Sequence, residues 1–184
     1  MLKRFTTILI LGVIVGVSAA AYAHERGWPG KRLAQTLPEA ETFALKETAL
    51  TGAQVAWLEK NLGESVRTED RRPRFYVGAA KGGAPAGSVV FLDATGTNGK
   101  VEMGLAIAPS GEILRVILFE HSEPGALASK AFLRQFTGKK AADHFRVGHD
   151  VEAPPKHKKG AQILATTVRR GLLLAMAGLR LGVE

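Results

Sequence analysis

Two groups of residues in this chain have the side chains and the spacing to contact a ligand. In the first, His121 and Glu123 supply an imidazole and a carboxylate, and Pro124-Gly125 follows at once. A Pro-Gly turn exposes backbone N–H groups and fixes the direction of neighbouring side chains, so such turns often contact ligands. The spacing therefore predicts a binding corner at His121, Glu123 and Gly125.

The second group lies where a long apolar helical pattern begins. It consists of lysines followed by a Gly-Ala step and a glutamine: Lys156, Lys158, Lys159, Gly160, Ala161 and Gln162. A helix N-terminus has unpaired N–H groups and a partial positive charge, so it favours a bound phosphate and disfavours added cations. Two interpretations stay open: the lysines hold an anion, or they extend into solvent.

Other polar residues between 139 and 159 offer weaker chemistry. Asp143, His144, His149 and Asp150 could ligate a metal, but they lack the spacing of helical or finger sites. A polar loop explains them equally well, and we predict no metal. The arginine-rich residues 67–74 also read as a solvated loop of mixed charge.

The elements that must position these groups follow from periodicity. Apolar and other residues alternate over 101–107, and an apolar run fills 113–119, which predicts an antiparallel pair. This pair would bring His121 and Glu123 to the edge of a sheet, and Asn98-Gly99 predicts a hairpin before it.

Helices are predicted on either side of these strands. Thr51-x-x-Gln54 is a capping box and Gly63 a stop signal, with Trp57 expected in the core. The last helix, opening at Gly160, should be largely buried, and residues 38–45 read as a short helix. The predicted fold class is α+β: a twisted antiparallel sheet with helices packed against it.

These motifs resemble the FMN-binding domain of the G subunit of Rnf-type electron-transport complexes and the C subunit of the sodium-pumping NADH:quinone oxidoreductase. The resemblance spans residues 87–179, with a looser lead-in from residue 37. It rests on a strand, His-x-Glu with Pro-Gly, and a helix ending in Gln135-Phe136-x-Gly138. It implies an FMN site with the isoalloxazine toward Glu123 and Gly125, beside Leu127, and the phosphate near Gly160, Ala161 and Gln162.

The chain departs from that family in two places. Family members open the last helix with Ser/Thr-Gly-Ala-Thr/Ser, whose final hydroxyl is esterified to the FMN phosphate, whereas this chain has Lys159-Gly160-Ala161-Gln162. Glutamine has no hydroxyl, so covalent attachment there is excluded. The family's His-x-Glu-Thr-Pro-Gly-x-Gly reads here as His-Ser-Glu-Pro-Gly-Ala-Leu-Ala, without the threonine and the last glycine.

Composition and the N-terminus limit the functional classes. The 184 residues include no cysteine, which excludes disulfides and cysteine-ligated iron–sulfur clusters, and the net charge is +8. No nucleic-acid-binding signature accompanies that charge. Residues 1–23 have a basic start, an apolar run and an Ala-x-Ala site, which predicts a signal peptide, or alternatively an uncleaved anchor.

The sequence therefore predicts a signal peptide or anchor (1–23), a flexible lead (24–36) and a single FMN-binding-like domain (37–184). We expect a periplasmic or otherwise extracytoplasmic electron carrier that holds FMN noncovalently and works with membrane or periplasmic redox partners rather than nucleic acid. The alternative is a domain that kept the fold and lost the flavin, acting as a scaffold or accessory subunit of an envelope redox complex.

Overall fold

A computed structural model describes residues 29–181 of the chain. Its sheet is a five-stranded antiparallel meander in the order β1-β2-β3-β4-β5. The strands are β1 Thr42–Glu47, β2 Arg74–Ala79, β3 Pro85–Thr95, β4 Lys100–Ile107 and β5 Ile113–Glu120. The α+β class with a twisted antiparallel sheet is confirmed, and so is the β4–β5 pair.

The helices are α1 Gly30–Thr36, α2 Gly52–Leu62, α3 Gly125–Ala128, α4 Lys130–Arg134 and α5 Lys158–Leu179. The Thr51–Gln54 capping box forms at the start of α2, and Gly63 ends it in the left-handed conformation. The helix predicted after Pro124-Gly125 is broken, because Ser129 is extended and starts α4 as a new N-cap. Within residues 29–181, no helix has the length and apolarity needed to cross a membrane.

The main core lies between one face of the sheet and the helices α2 and α5. Alternate strand residues such as Phe75, Val90 and Leu105 face this side, where Leu164, Val168 and Leu172 of α5 are fully buried. The prediction that the last helix is largely buried is confirmed. Trp57 was expected in this core, but its side chain is 38% exposed because Val55 and Leu58 form the buried face of α2.

A second core covers the opposite face of the sheet. Leu33 in α1 and Leu37 just after it pack against Tyr76 of β2, Val89 of β3 and Ala106 of β4. The flexible lead predicted for residues 24–36 is therefore wrong over Gly30–Thr36, which form a docked helix; residues 24–28, like the predicted signal peptide, lie outside the described residues. The guanidinium of Arg32 fixes α1 to the sheet by pairing with Glu102 and Glu120.

The short helix expected at residues 38–45 is also wrong. Residues Thr42–Glu47 form β1 and pair with β2 from Thr42↔Ala79 to Glu47↔Arg74. Phe43 and Leu45 pack on the second core. Pairing and packing against the sheet here override the helix preference of the local sequence.

Candidate functional site

The carboxylate of Glu123 is buried between the β3–β4 turn and the start of α5. Its side chain is 5% exposed. Oε1 accepts hydrogen bonds from the backbone N–H groups of Thr97 (2.5 Å) and Asn98 (3.2 Å), and Oε2 accepts one from the Thr97 hydroxyl (2.7 Å). Three donors therefore satisfy both oxygens, and this carboxylate holds the turn in place.

Two glycines make room for that carboxylate. A Cβ atom on Gly96 would collide with Glu123 Oε1, and one on Gly160 would lie 2.7 Å from Oε2 and 2.9 Å from Leu127 Cδ1. Leu127 and Ala161 are fully buried next to this contact. The structure thus brings together Glu123, Leu127, Gly160 and Ala161 as a packed floor against the first turn of α5.

The N-terminus of α5 carries positive charge that no side chain of its own offsets. Its N-cap residue His157 makes no side-chain cap hydrogen bond, and the first turn contains no acidic residue. Lys158 and Lys159 are both exposed there. The Glu123 carboxylate lies against this end of the helix at Gly160, and the two exposed lysines leave it with excess positive charge that can attract an anion from solvent.

Gln162, predicted to contact the phosphate, braces a neighbouring loop. Its Oε1 accepts a hydrogen bond from Val147 N at 2.9 Å, and its Nε2 donates to Phe145 O at 2.9 Å and to Thr166 Oγ1 at 3.2 Å. The amide is therefore engaged at both ends and holds the loop at residues 145–147 against α5.

A cavity of about 650 Å³ runs along the exposed face of α5 from Lys159. Its lining residues come from three segments: Glu64, Arg67, Ala94, Thr95, Lys159, Gln162, Ile163, Thr166 and Thr167. The volume is in the range of about 300–1,000 Å³ common to cofactor pockets. Lys159 and Arg67 bring two positive charges to this lining and Glu64 one negative charge, so the lining carries a net positive charge, which suits a phosphate.

A buried ion pair holds the segment that supplies Glu64 and Arg67. Arg170, 4% exposed, donates from Nη2 to Asp93 O at 2.7 Å, and its Nη1 lies 3.6 Å from Asp70 Oδ2. Burial raises the pKa of Asp70, with Arg170 and Arg67 acting in the opposite direction, and burial lowers the pKa of Arg170. The pair anchors the wall of the cavity to α5 and β3.

His121 and Gly125 lie away from this cavity. His121 is exposed after β5 and lines a separate groove of about 720 Å³ between β5 and α4. Gly125 is exposed at the first position of α3. The predicted residues are thus divided between that groove, the packed floor and the cavity beside α5, except that Gly125 and Lys158 are exposed outside all three.

The loop between α4 and α5 is organised by its own polar residues. Asp150 accepts hydrogen bonds from Lys139 Nζ (2.8 Å) and from the N–H groups of Phe145 (3.0 Å) and Arg146 (2.7 Å). The rings of His144 and His149 are 4.1 Å apart between centroids. Across residues 29–181, no three His, Asp or Glu side chains are grouped so that they could hold a metal ion.

Part of the cavity could have been found from the sequence. Lys159, Ile163 and Thr166 lie four and seven residues apart along α5, a spacing that puts them on one helical face. Glu64, Arg67 and Thr95 come from other elements, and no local pattern connects them with α5. Only the tertiary structure brings these three to the cavity.

Comparison with known proteins finds a likeness among solved structures alone. No family model matches the chain, and no curated protein matches it. Among solved structures, NqrC from Shewanella oneidensis is similar at 19% identity and a TM-score of 0.45, over 64% of this chain and 66% of that one. The family therefore stays a prediction from the motifs.

Proposed function

We propose that this chain binds FMN noncovalently in the cavity beside α5 and serves as an electron-transfer protein. The observation that carries the proposal is the cavity of about 650 Å³ at an uncapped helix N-terminus, with Lys159 and Arg67 in its lining. Lys158, Lys159 and Arg67 would hold the phosphate near the first turn of α5. When bound, the isoalloxazine supplies the redox chemistry, and the protein supplies position and electrostatics.

The sequence implied that the isoalloxazine of FMN lies toward Glu123, and we no longer propose that contact. Glu123 can meet a flavin only by giving up its bonds to Thr97 and Asn98. We therefore assign Glu123 to holding the floor and the β3–β4 turn. Gln162 offers no hydroxyl for a phosphoester, so FMN should be released intact when the protein is denatured.

One observation favours the alternative of a flavin-free accessory protein. Both ends of the Gln162 amide are committed to the loop at residues 145–147, so the position that carries the family's acceptor hydroxyl has become a structural brace. On this alternative, the chain keeps the fold as a scaffold for an envelope redox complex. The visible spectrum of the purified protein distinguishes the two.

The test is an FMN titration followed by flavin fluorescence and visible absorption. The variant K158E/K159E should bind FMN at least about tenfold more weakly at low salt, and the remaining binding should depend less on salt. The control K46E/K81E reverses two exposed lysines far along the chain and carries the same net charge. Failure to bind excess FMN, or equal affinity in both variants, would overturn the proposal.

The location of the protein is a separate proposal. The basic start, the apolar run and Ala21-Tyr22-Ala23 support export with cleavage after Ala23, and hence membrane or periplasmic redox partners. Mass spectrometry of the protein from the native envelope fraction tests it. A mature chain beginning at His24 is expected, whereas an intact N-terminus would indicate an anchor.

A further inference from the structure

Strand β5 is an edge of the sheet that presents apolar side chains to solvent. Leu114 is 38% exposed, and Ile117 and Leu118 are half-buried. The opposite edge, β1, instead ends in the charged pair Lys46 and Glu47. Charged side chains are a common means of keeping an edge strand from pairing with other chains. Strand β5 also carries two charged residues, Arg115 and Glu120, but the four residues between them, 116–119, are all apolar.

Among the described residues, groups outside the sheet cover the backbone of β5 at its first two residues, where Thr137 Oγ1 donates to Leu114 O at 3.5 Å and Ile113 is bonded through both N and O. Ile113 N donates to Lys139 O at 3.0 Å, and Ile113 O accepts from Gly138 N at 2.8 Å. Leu114 is then left out of the register, because Ile107 pairs with Ile113 and Ala106 with Arg115. Among the described residues, no backbone group outside β4 hydrogen-bonds to the rest of this strand. An unpaired edge of this kind can accept another strand.

A groove of about 720 Å³ lies beside that edge, between β5 and α4. The side chains of Leu114, Leu118 and Leu133 contribute apolar surface to it, and Lys130 and Arg134, one helical turn apart on α4, contribute positive charge. When a partner adds a strand to an open edge, its backbone hydrogen bonds supply affinity, and pockets beside the edge that receive its side chains supply specificity.

The charge of the groove identifies the kind of occupant. Its ionisable lining residues are all basic: Arg115, His121, Lys130 and Arg134. Arg115 is already 3.5 Å from Glu39, whereas within residues 29–181 Lys130 and Arg134 form no ion pair. Like charges disfavour a second copy of this chain on the same groove, and an acidic segment is complementary to it.

From this geometry we infer that β5 docks an extended acidic segment of a partner protein, which adds to the sheet as a sixth strand. The segment's backbone pairs with β5 after Leu114, its acidic side chains meet Lys130 and Arg134, and its apolar side chains contact Leu114 and Leu118. The groove and the cavity beside α5 share no lining residue, so this docking is independent of FMN.

The test uses a fluorescein-labelled peptide in which Glu and Val alternate over about eight residues, the length of β5. Fluorescence anisotropy measures its binding to the full chain, with and without saturating FMN. Two control peptides replace Glu by Lys, or N-methylate alternate backbone nitrogens to remove hydrogen-bond donors. Hydrogen exchange of residues 114–118 reports where the peptide binds.

We expect the acidic peptide alone to bind and to slow exchange at residues 114–118, with or without FMN. The variant K130E/R134E should weaken binding at least about tenfold at low salt, whereas K46E/K81E should not. The inference would be overturned if the Lys or N-methylated peptide bound equally well, or if exchange slowed at other residues instead. It would also be overturned if FMN displaced the peptide, or if light scattering showed a dimer that occupies this edge.

Discussion

Thr97 donates a hydrogen bond to each oxygen of the Glu123 carboxylate, from Oγ1 to Oε2 at 2.7 Å and from the backbone N to Oε1 at 2.5 Å. This contact ties the β3–β4 turn to the chain that leaves β5, and it does so next to the first turn of α5. The carboxylate is therefore a structural anion that joins this turn to the start of α5.

The first prediction concerns this contact. The variant Glu123→Gln should lower the free energy of unfolding by roughly 1–3 kcal/mol, because buried donors lose a charged acceptor and meet an amide NH₂. The melting temperature should fall by roughly 2–10 °C. The matched control Glu41→Gln removes an exposed carboxylate that forms no ion pair among the described residues, and it should change the melting temperature little. Equal melting temperatures for the two variants would contradict the assigned role.

The second prediction uses a pair of helical glycines. A Cβ on Gly160 would crowd Glu123 Oε2 and Leu127 Cδ1, whereas a Cβ on Gly52 meets nothing within 4 Å. Gly160→Ala should therefore destabilise the protein by roughly 1–3 kcal/mol, while Gly52→Ala should be neutral or stabilising by up to about 1 kcal/mol. Urea denaturation of both variants gives the comparison, and a stabilising Gly160→Ala would show that the contact is loose.

The third prediction tests Gln162 as a brace. Gln162→Ala removes both hydrogen bonds to the loop at residues 145–147, so amide exchange at Val147 should speed up by about tenfold, as the loss of roughly 1 kcal/mol or more implies. Thr166→Ala removes only the 3.2 Å contact with Gln162 and serves as the control. Unchanged amide exchange at Val147 in Gln162→Ala would contradict the brace role and would mean that the Gln162 side chain is available to contact a ligand.

The fourth prediction is a pH dependence. Burial acts to raise the pKa of Asp150, but the Lys139 ammonium and the N–H groups of Arg146 and Phe145 outweigh it and hold this pKa well below its usual range. A carboxyl whose pKa is depressed in the folded state stabilises the fold at pH values above the ordinary pKa of about 3.9. This stabilisation is lost as the pH falls from about 3.9 toward the depressed pKa.

Asp150→Asn should accordingly lose roughly 1–3 kcal/mol at neutral pH and show a flatter decline in stability below about pH 4. The exposed Asp143, which accepts one hydrogen bond from Lys140 N, provides the control Asp143→Asn. Thermal melts across the acid range measure both. Parallel pH profiles for wild type and Asp150→Asn would mean that another carboxyl dominates the acid response.

The parts of the fold that the sequence predicts well are those with short-range causes. Alternation defines β4, and the Thr51 capping box with Gly63 defines α2, because each involves residues within one element. Helix α1 has no such cue, since Pro29 caps it without a side-chain bond. It is stabilised by contacts with strands far along the chain.

A signal for that contact was nevertheless present in β4. A Cβ on Gly104 would lie 2.7 Å from Thr36 Oγ1 and 2.9 Å from Phe119 Cε2, so only glycine lets α1 approach so closely. A glycine inside a strand often marks such a close approach. The sequence shows that something packs there, but not which segment.

The sequence predicted the positive charge at the start of the last helix, but it did not predict the hydrogen bonds that Glu123 and Gln162 form. Lys159 and the start of the last helix could be inferred from local sequence, and Lys159 lines the cavity. The engagement of Glu123 by Thr97 joins residues 26 positions apart, and that of Gln162 by Phe145 joins residues 17 apart. Neither pairing leaves a trace in spacing or periodicity.

The docking of α1 on the second face has a kinetic consequence. Strands β2 to β5 can assemble hairpin by hairpin through short loops, whereas Arg32 reaches Glu102 and Glu120 across 70 and 88 residues. Because distant contacts cost more chain entropy to form, α1 should join after the barrier to folding has been crossed. Substitutions such as Leu33→Ala should then hasten unfolding and leave the refolding rate nearly unchanged, which makes α1 a determinant of how long the folded chain persists.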